Sequence, residues 1–261
     1  MTIIYFCPTI LILIIHSFTI PLTGITRTAR KFFLFNNMTS LSSSTPPNVS
    51  TIADPYRILL DISMAKSRKV RGGNYVQLAT VTADGAPKCR TIVQRGLFSH
   101  NGASVLKFIT DNRSEKVEQI RHRPEGEMVW WFLKTSEQYR ISGKLEVIGN
   151  DSTNQELLAV RKQTWGELRD TAREQFYWIQ PGIPLNEDED EKDQEKKETE
   201  NNDTPTGGRG KDGKVLPPPD TFLMMLLRPK KVDYLRLSDN ARVVFNHTEN
   251  KGIWTKQSMS P

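Results

Sequence analysis

The sequence predicts a mainly β fold with flanking helices, an α+β protein whose strands form a closed or half-closed β-barrel. Strand-like segments follow one another at short intervals over residues 75–148 and again over 222–246, and few helical segments interrupt them. Asp84-Gly85, between the first two of these segments, is a dipeptide typical of a two-residue hairpin turn. Many short strands at this spacing are typical of barrels rather than of parallel α/β sheets.

Local patterns predict the individual elements. A first helix follows Asp54-Pro55, because aspartate is a good N-cap and proline suits the first helical position. Residues 75–82 alternate and are rich in β-branched side chains, and 89–98 supplies the hairpin partner. Further strands are predicted at 105–110, 128–133, 138–148, 222–227, 232–237 and 242–246, and further helices at 114–122 and 151–168.

Two of these strands contain informative residues. Gly143 interrupts the 138–148 strand, and a glycine there predicts a β-bulge or a close approach of another backbone. The run Trp130-Trp131-Phe132 suits either aromatic stacking on a ligand or a strand buried on both faces, and the buried strand is the prediction.

The chain divides into four segments. Residues 1–50 form a targeting leader or disordered segment, residues 51–185 the first part of the barrel, residues 186–215 a disordered acidic insertion, and residues 216–261 the strands that complete the barrel. Disorder of the insertion is predicted from its charge, because a glutamate-rich run buries too little apolar surface to offset the entropy of ordering.

The leader has two interpretations. Its apolar run, Ile3 to Ile20, resembles the core of a signal peptide, and the basic, Ser/Thr-rich sequence after it resembles an organellar transit peptide. The leader then directs the protein to a plastid or mitochondrion. Alternatively Met38 is the true first residue, and the protein is cytosolic.

Composition narrows the classes of ligand. Hydrophobic residues make up 37% and charged residues 25% of the chain, as in soluble globular proteins, and no membrane association is expected of the mature domain. The formal charge of +6 suits a phosphorylated ligand or a nucleic acid, but no basic stripe with interleaved aromatic residues favours a nucleic acid. The four histidines have no metal-ligand spacing, so no metal site is predicted.

Two basic clusters form a candidate phosphate site. Arg90 and Gln94 share one face of a predicted strand, and Arg95, of opposite parity, reaches round from the strand end. Ser114 is the predicted N-cap of a helix, which places free backbone N–H groups beside Lys116. A phosphate site needs such convergent donors, although basic residues at these positions are often merely solvated.

The motifs together resemble the pyridoxamine 5′-phosphate oxidase family of FMN proteins, from residue 55 to residue 261 apart from the insertion. The motifs are Arg90-x-Ile-Val-Gln-Arg95, Phe108-Ile-Thr-Asp111, Ser114-x-Lys116-x-x-Gln119-Ile120 and Gln138-x-x-x-x-Gly143. The resemblance implies a split β-barrel homodimer with FMN at the subunit interface and Gln138 supplied by the other subunit. It implies FMN contacts at Arg90, Ile92, Val93, Gln94, Arg95, Ile109, Thr110, Arg113, Ser114, Lys116 and Gln138.

The chain departs from the family pattern in ways that mark a divergent branch. Glu115 stands where the family has arginine, and its carboxylate would repel phosphate unless Arg113 compensates. The family's Ser-Arg-Pro stretch is replaced by the segment from Arg173 to Gly182, and Val244 stands where a histidine would follow Arg242. Arg173 and Arg242 remain as candidates for binding a substrate anion. Phe222 is either a core residue or a flavin contact.

Three functions are compatible with this resemblance. The first is oxidation of pyridoxamine or pyridoxine 5′-phosphate to pyridoxal 5′-phosphate, with oxygen as the acceptor and no protein acid or base required, so that no catalytic residue is predicted. The second is an FMN-dependent reductase of another small molecule. The third is a flavin-binding protein without turnover.

Overall fold

The structure, a computed structural model, describes residues 54–184, 205–248 and 252–261. The predicted leader and most of the predicted acidic insertion therefore lie outside the described residues. The helices are α1 (Arg57–Ser67), α2 (Glu115–His122), α3 (Gln155–Gly166) and α4 (Asp170–Glu174). The strands are β1 (Tyr75–Val81), β2 (Pro87–Val93), β3 (Leu97–His100), β4 (Ala103–Asp111), β5 (Glu125–Phe132), β6 (Glu137–Ile148), β7 (Phe222–Arg236), β8 (Ala241–Thr248) and β9 (Ile253–Met259).

All nine strands belong to one antiparallel sheet in the order β2-β1-β5-β6-β7-β4-β3, with β8 beside β7 and β9 beside β8. Strands β2 and β3 are two halves of one stretch of chain, of which the first half pairs with β1 and the second with β4. Because the same stretch forms both ends of the strand order, it closes the sheet into a barrel. The predicted mainly β fold with flanking helices is confirmed.

Strand β7 joins the barrel to an outer hairpin. Its first half pairs with β4 and its second half with β8, while β6 pairs with it along nearly its whole length. The sequence predicted two strands here and did not predict β9. Among the described residues, no helix is both long and apolar enough to cross a membrane.

The barrel interior is filled by alternating side chains of the closed strands. Trp130 and Phe132 are buried and stack with ring centroids 4.8 Å apart. Trp131 points to the opposite face and is 38% exposed, so the prediction of a strand buried on both faces is wrong for β5. Phe222 is fully buried against Trp165 and Phe176, which makes it a core residue.

The bulge predicted at Gly143 is confirmed. The pairing of β6 with β7 shifts register between Ser142 and Gly143. A Cβ atom on Gly143 would collide with the carbonyl oxygen of Arg228, so only glycine allows the two strands to approach this closely.

Asp54 does not cap α1; its side chain links the start of the described chain to β4 and to β9. The helix begins at Arg57 with no side-chain cap. The Asp54 carboxylate instead accepts hydrogen bonds from the Ser104 backbone N–H, at 2.6 Å, and from Trp254 Nε1, at 2.7 Å. Trp254 also packs edge-on against Tyr56, so it ties β9 to the start of α1.

The end of the predicted insertion is folded, contrary to the expectation of disorder through residue 215. Gly207 and Gly208 are buried, and the Gly207 carbonyl accepts a hydrogen bond from Arg173 Nε at 2.8 Å. Arg209 forms an ion pair with Asp170 at 2.9 Å. The two glycines have positive φ, a conformation that lets the backbone approach α4 closely, and these contacts order a segment whose composition alone predicts none.

Candidate functional site

A cavity of about 620 Å³ lies beside the ends of β2 and β4 and the start of α2, under the chain segment 172–183. Its wall is largely apolar, with two cations among its polar members. Six of the residues predicted as cofactor contacts line it: Ile92, Val93, Arg95, Ile109, Thr110 and Lys116. The rest of the lining is Asp111, Ala172, Gln175, Phe176, Trp178, Ile179, Gln180, Pro181, Gly182 and Ile183.

Lys116 is one of the two cations. Its Nζ donates to Ser114 Oγ at 2.9 Å and to Thr110 Oγ1 at 3.2 Å. Burial lowers the pKa of Lys116, and the nearby charge of Arg90 lowers it further. A dianion in the cavity would offset both effects, so the site is electrostatically prepared for an anionic group.

Ser114 occupies the predicted N-cap position of α2, but its side chain does not cap the helix. Its hydroxyl donates to the Asp111 carbonyl at 2.8 Å. The Val117 N–H donates to the Ser114 carbonyl at 2.9 Å, and the Ser114 side chain takes none of the other first-turn N–H groups, which have no intrahelical partner. Helix α2 therefore presents backbone donors and its positive end beside Lys116.

Arg95 is the second cation of the cavity. Its Nε is buried and has no hydrogen-bond partner among the described residues. Burial lowers the pKa of the Arg95 guanidinium. A buried donor without a partner is costly, and a phosphate oxygen would satisfy it, so this residue fits the group that the sequence predicts.

Arg90 stands beside the cavity but does not line it. Its Nη1 donates to Thr80 Oγ1 at 2.6 Å and its Nη2 donates to Gln119 Oε1 at 3.0 Å. Burial lowers the pKa of Arg90, whereas the neighbouring charge of Glu115 raises it. Arg90 therefore adds positive charge near Lys116 while joining β2 to β1 and α2.

Two acidic residues lie at or near the site, and the sequence-based expectation concerned only Glu115. Glu115 is exposed and lies outside the cavity lining. Asp111 does line the cavity, but its carboxylate accepts from the Arg113 guanidinium at 3.0 and 2.7 Å and from the Arg113 backbone N–H at 2.8 Å. Arg113 is therefore engaged by Asp111 and does not fit the expected role of replacing a phosphate-binding arginine.

Arg113 has a further contact that the sequence did not predict. Its Nη1 donates to the carbonyl oxygen of Trp178 at 2.8 Å, which ties the segment 175–183 to the start of α2. Trp178 is 57% exposed, and Ile179 and Ile183 are also exposed, although all three line the cavity. No local motif marks these residues, because their role depends on a contact that spans 65 positions.

The remaining predicted residues lie elsewhere. Gln94 lines a different pocket, and Gln138 lies on β6 opposite Trp131. Arg173 is buried and donates to backbone carbonyls and to Asp170, and Arg242 binds both oxygens of Asp233. Neither arginine lines the cavity, so their positions do not support the expected contact with a substrate anion.

Comparison with known proteins identifies relatives of this chain. Residues 53–149 match the family model described as pyridoxamine 5′-phosphate oxidase, FMN-binding domain. Pyridoxine/pyridoxamine 5′-phosphate oxidase 2 of Arabidopsis thaliana is 32% identical over 218 residues, which cover 82% of this chain and all of that protein. The oxidase of Acaryochloris marina is 32% identical over 80 residues, which are 31% of this chain and 35% of that protein.

Solved structures confirm the predicted split β-barrel. A pyridoxamine 5′-phosphate oxidase-related, FMN-binding protein from Nostoc punctiforme superposes with a TM-score of 0.67 at 31% identity, covering 81% of this chain and all of that one. PhzG from Burkholderia lata superposes with a TM-score of 0.59 at 18% identity, covering 80% of this chain and 94% of that one, which shows the shared fold alone.

Proposed function

Since the chain belongs to the pyridoxamine 5′-phosphate oxidase family of FMN-binding proteins, we propose that its 620 Å³ cavity binds FMN through Arg95 and Lys116. With FMN bound there, we propose that the protein oxidises pyridoxamine or pyridoxine 5′-phosphate. The observation that carries the proposal is the buried, unpartnered Nε of Arg95 in the same cavity as Lys116. FMN is the cofactor of this family, and the donor set of the cavity fits its phosphate.

The residues of the chain bind and orient in this proposal. Lys116, Arg95 and the first turn of α2 hold the phosphate, and the hydroxyl of Thr110 keeps the Lys116 amine in place. Ile92, Val93 and Ile109 offer an apolar wall for a planar ring. When bound, FMN supplies two-electron redox chemistry, which asks of the protein only positioning and exclusion of competing reactions.

A second copy of the chain is part of this proposal. Cross-strand partners share a sheet face, so Val93 of the cavity shares a face with Tyr75, just as Trp131 shares one with Gln138. Strand β1 pairs with β5 at Gln77 and Val129, each two residues from one of the rings, so Tyr75 and Trp131 lie on the same face, where they are 51% and 38% exposed. A homodimer through this face would cover both rings and bring Gln138 to the partner's cavity.

The oxidase is tested on the purified chain. We expect a yellow chromophore that is FMN, and hydrogen peroxide formation when pyridoxamine 5′-phosphate is added in air. Lys116→Met should lose both, whereas Lys69→Met, which removes an exposed cation outside the cavity, should lose neither. Absence of FMN uptake would overturn the cofactor site.

The dimer is tested separately by light scattering. Trp131→Glu should give monomers with weakened FMN binding, and Gln138→Ala should weaken FMN binding without separating the subunits. A parent protein that is monomeric and still binds FMN tightly would contradict the shared site.

A second candidate function has its own supporting observation. Arg173 and Arg242 are engaged internally, and the segment that stands in place of the family's substrate motif brings Trp178, Ile179 and Ile183 to the cavity. This apolar rim favours a less polar substrate, reduced or oxidised at the same FMN. FMN binding without peroxide formation from either B6 phosphate ester would favour this candidate over the oxidase.

A further inference from the structure

A second pocket, of about 320 Å³, lies on the other side of the strand end that carries Arg95. It is lined by Met64, Ser67, Arg68, Val70, Gly73, Asn74, Gln94 and Trp130, and it shares no residue with the FMN cavity. Gln94 and Arg95 are consecutive residues of opposite parity, which is why neighbouring side chains enter different pockets. Its volume is at the lower end of the range for small-molecule sites.

Two buried polar atoms in this pocket have no partner. Gln94 is 4% and Ser67 3% exposed, and neither Gln94 Nε2 nor Ser67 Oγ forms a hydrogen bond with any described residue. Trp130 differs, because its Nε1 donates to the Gly73 carbonyl at 2.8 Å. Buried polar groups are almost always paired, so two unpaired donors on residues that line one pocket indicate a group that they bind.

The charge around the pocket selects the sign of that group. No lining residue is acidic, and Arg68 forms no hydrogen bond or ion pair with a described side chain. Arg68 belongs to a basic run, Lys66-Ser67-Arg68-Lys69-Val70-Arg71. Of the residues that line the pocket Arg68 alone is charged, and its full positive charge outweighs the partial negative charge at the C-terminal end of α1. The group is therefore an anion.

The pocket is held in shape before any ligand arrives. Its loop is fixed by successive turn hydrogen bonds from Val70 N–H to the Ser67 carbonyl and from Gly73 N–H to the Val70 carbonyl, of 2.9 and 3.0 Å. The Trp130 bond holds the same loop from the barrel side. A preformed site loses little free energy to ordering when it binds.

We propose that this second pocket binds a small organic oxyanion, a carboxylate or a phosphate monoester. Its oxygens accept hydrogen bonds from Gln94 and Ser67, and Arg68 offsets its charge. Met64, Val70 and the edge of Trp130 contact its apolar body. The inference does not depend on the substrate of the FMN cavity, because the two pockets share no residue.

The test uses the full chain saturated with FMN, so that the phosphate-binding cavity is filled. Benzoate and phenyl phosphate are titrated separately by calorimetry, which distinguishes a carboxylate from a phosphate ligand, and inorganic phosphate tests whether the apolar body is needed. We expect saturable binding of one of the two aromatic probes with a Kd at or below about 1 mM, and weaker binding of inorganic phosphate.

Four variants separate a built site from general attraction to basic residues. Arg68→Ala removes the charge that lines the pocket and should weaken binding more than Lys69→Ala does. Gln94→Leu and Ser67→Ala each remove an unpaired donor and should weaken binding roughly tenfold or more. Lys69→Ala removes a charge of the same run outside the pocket and should change binding by less than about twofold. Thermal unfolding shows whether each variant is folded, and Ser67→Ala is the smaller change.

Two results would overturn the proposal. One is no saturable binding of either aromatic probe, which means that the pocket holds only water. The other has two parts: Lys69→Ala and Arg68→Ala weaken binding of the probe equally, and folded Gln94→Leu and Ser67→Ala bind it as the parent does. This result would mean that the basic run attracts anions without the pocket.

Discussion

Replacement of Arg95 by methionine should separate cofactor binding from folding, because it affects the two in opposite directions. Arg95 lines the 620 Å³ cavity proposed to bind FMN, and its buried Nε has no partner among the described residues. The side chain therefore costs free energy in the FMN-free protein and repays it when a phosphate oxygen accepts from the guanidinium. Methionine keeps much of the volume and removes the donors.

The size of each effect follows from the hydrogen bonds involved. Hydrogen bonds to a charged group are worth about 1.5–3 kcal/mol, so Arg95→Met should raise the Kd for FMN roughly 10- to 150-fold. Removing one unpaired buried donor should leave the stability of the FMN-free protein unchanged or raise it by about 1 kcal/mol, an increase in Tm of roughly 2–4 °C for a domain of this size.

The assays are quenching of FMN fluorescence for the Kd and thermal unfolding of the FMN-free protein for the Tm. Arg95→Lys is the matched control, since it keeps a charge at the position and should lose less affinity than methionine. The reasoning is refuted if Arg95→Met binds FMN as the parent does. It is refuted equally if affinity and FMN-free stability fall together, because Arg95 would then be a structural residue.

Three further outcomes test other parts of the structure. Burial and the charge of Arg90 lower the pKa of Lys116 in the FMN-free protein, and a bound phosphate raises it. FMN affinity should therefore be highest below the pKa of the FMN-free protein and fall as the pH rises towards the pKa of the complex. Titrations of Kd against pH should show this fall at higher pH in Lys116→Arg. Arg113→Ala should release the Trp178 carbonyl and raise proteolytic cleavage in the segment 175–183, with the parent's cleavage pattern as the contradicting result. Gly143→Ala should lower the Tm by many degrees, whereas Gly166→Ala, with open space for a Cβ, should leave it unchanged or raise it.

The sequence predicted the strands of the barrel well where polar and apolar residues alternate regularly. It predicted them poorly where pairing with a neighbouring strand determines where a strand begins and ends. Residues 228–231, Arg-Pro-Lys-Lys, indicate a break between two strands, yet β7 continues through them. Pro229 pairs with Gly143 at the register shift, a bulge position at which a strand tolerates a residue without an N–H. Strand β9 was missed because most of its side chains are exposed, which leaves no alternation to detect.

The candidate site divides in the same way. Arg95 and Lys116 follow from their places at a strand end and a helix start, Thr110 follows from the family resemblance, and the structure brings all three to one cavity. Parity could also have separated Gln94 from Arg95. The opposite wall could not be predicted, because Trp178 is held by Arg113 from a distant part of the chain.

The folded end of the insertion explains why that opposite wall escapes local prediction. Gly207 and Gly208 pack on Arg173 and Asp170 of α4, and α4 leads directly into the residues that cover the cavity. The 205–215 segment thus supports the cavity wall from behind, although its composition alone indicates disorder. A segment that looks dispensable in sequence is therefore coupled to the half of the site that differs from the family pattern.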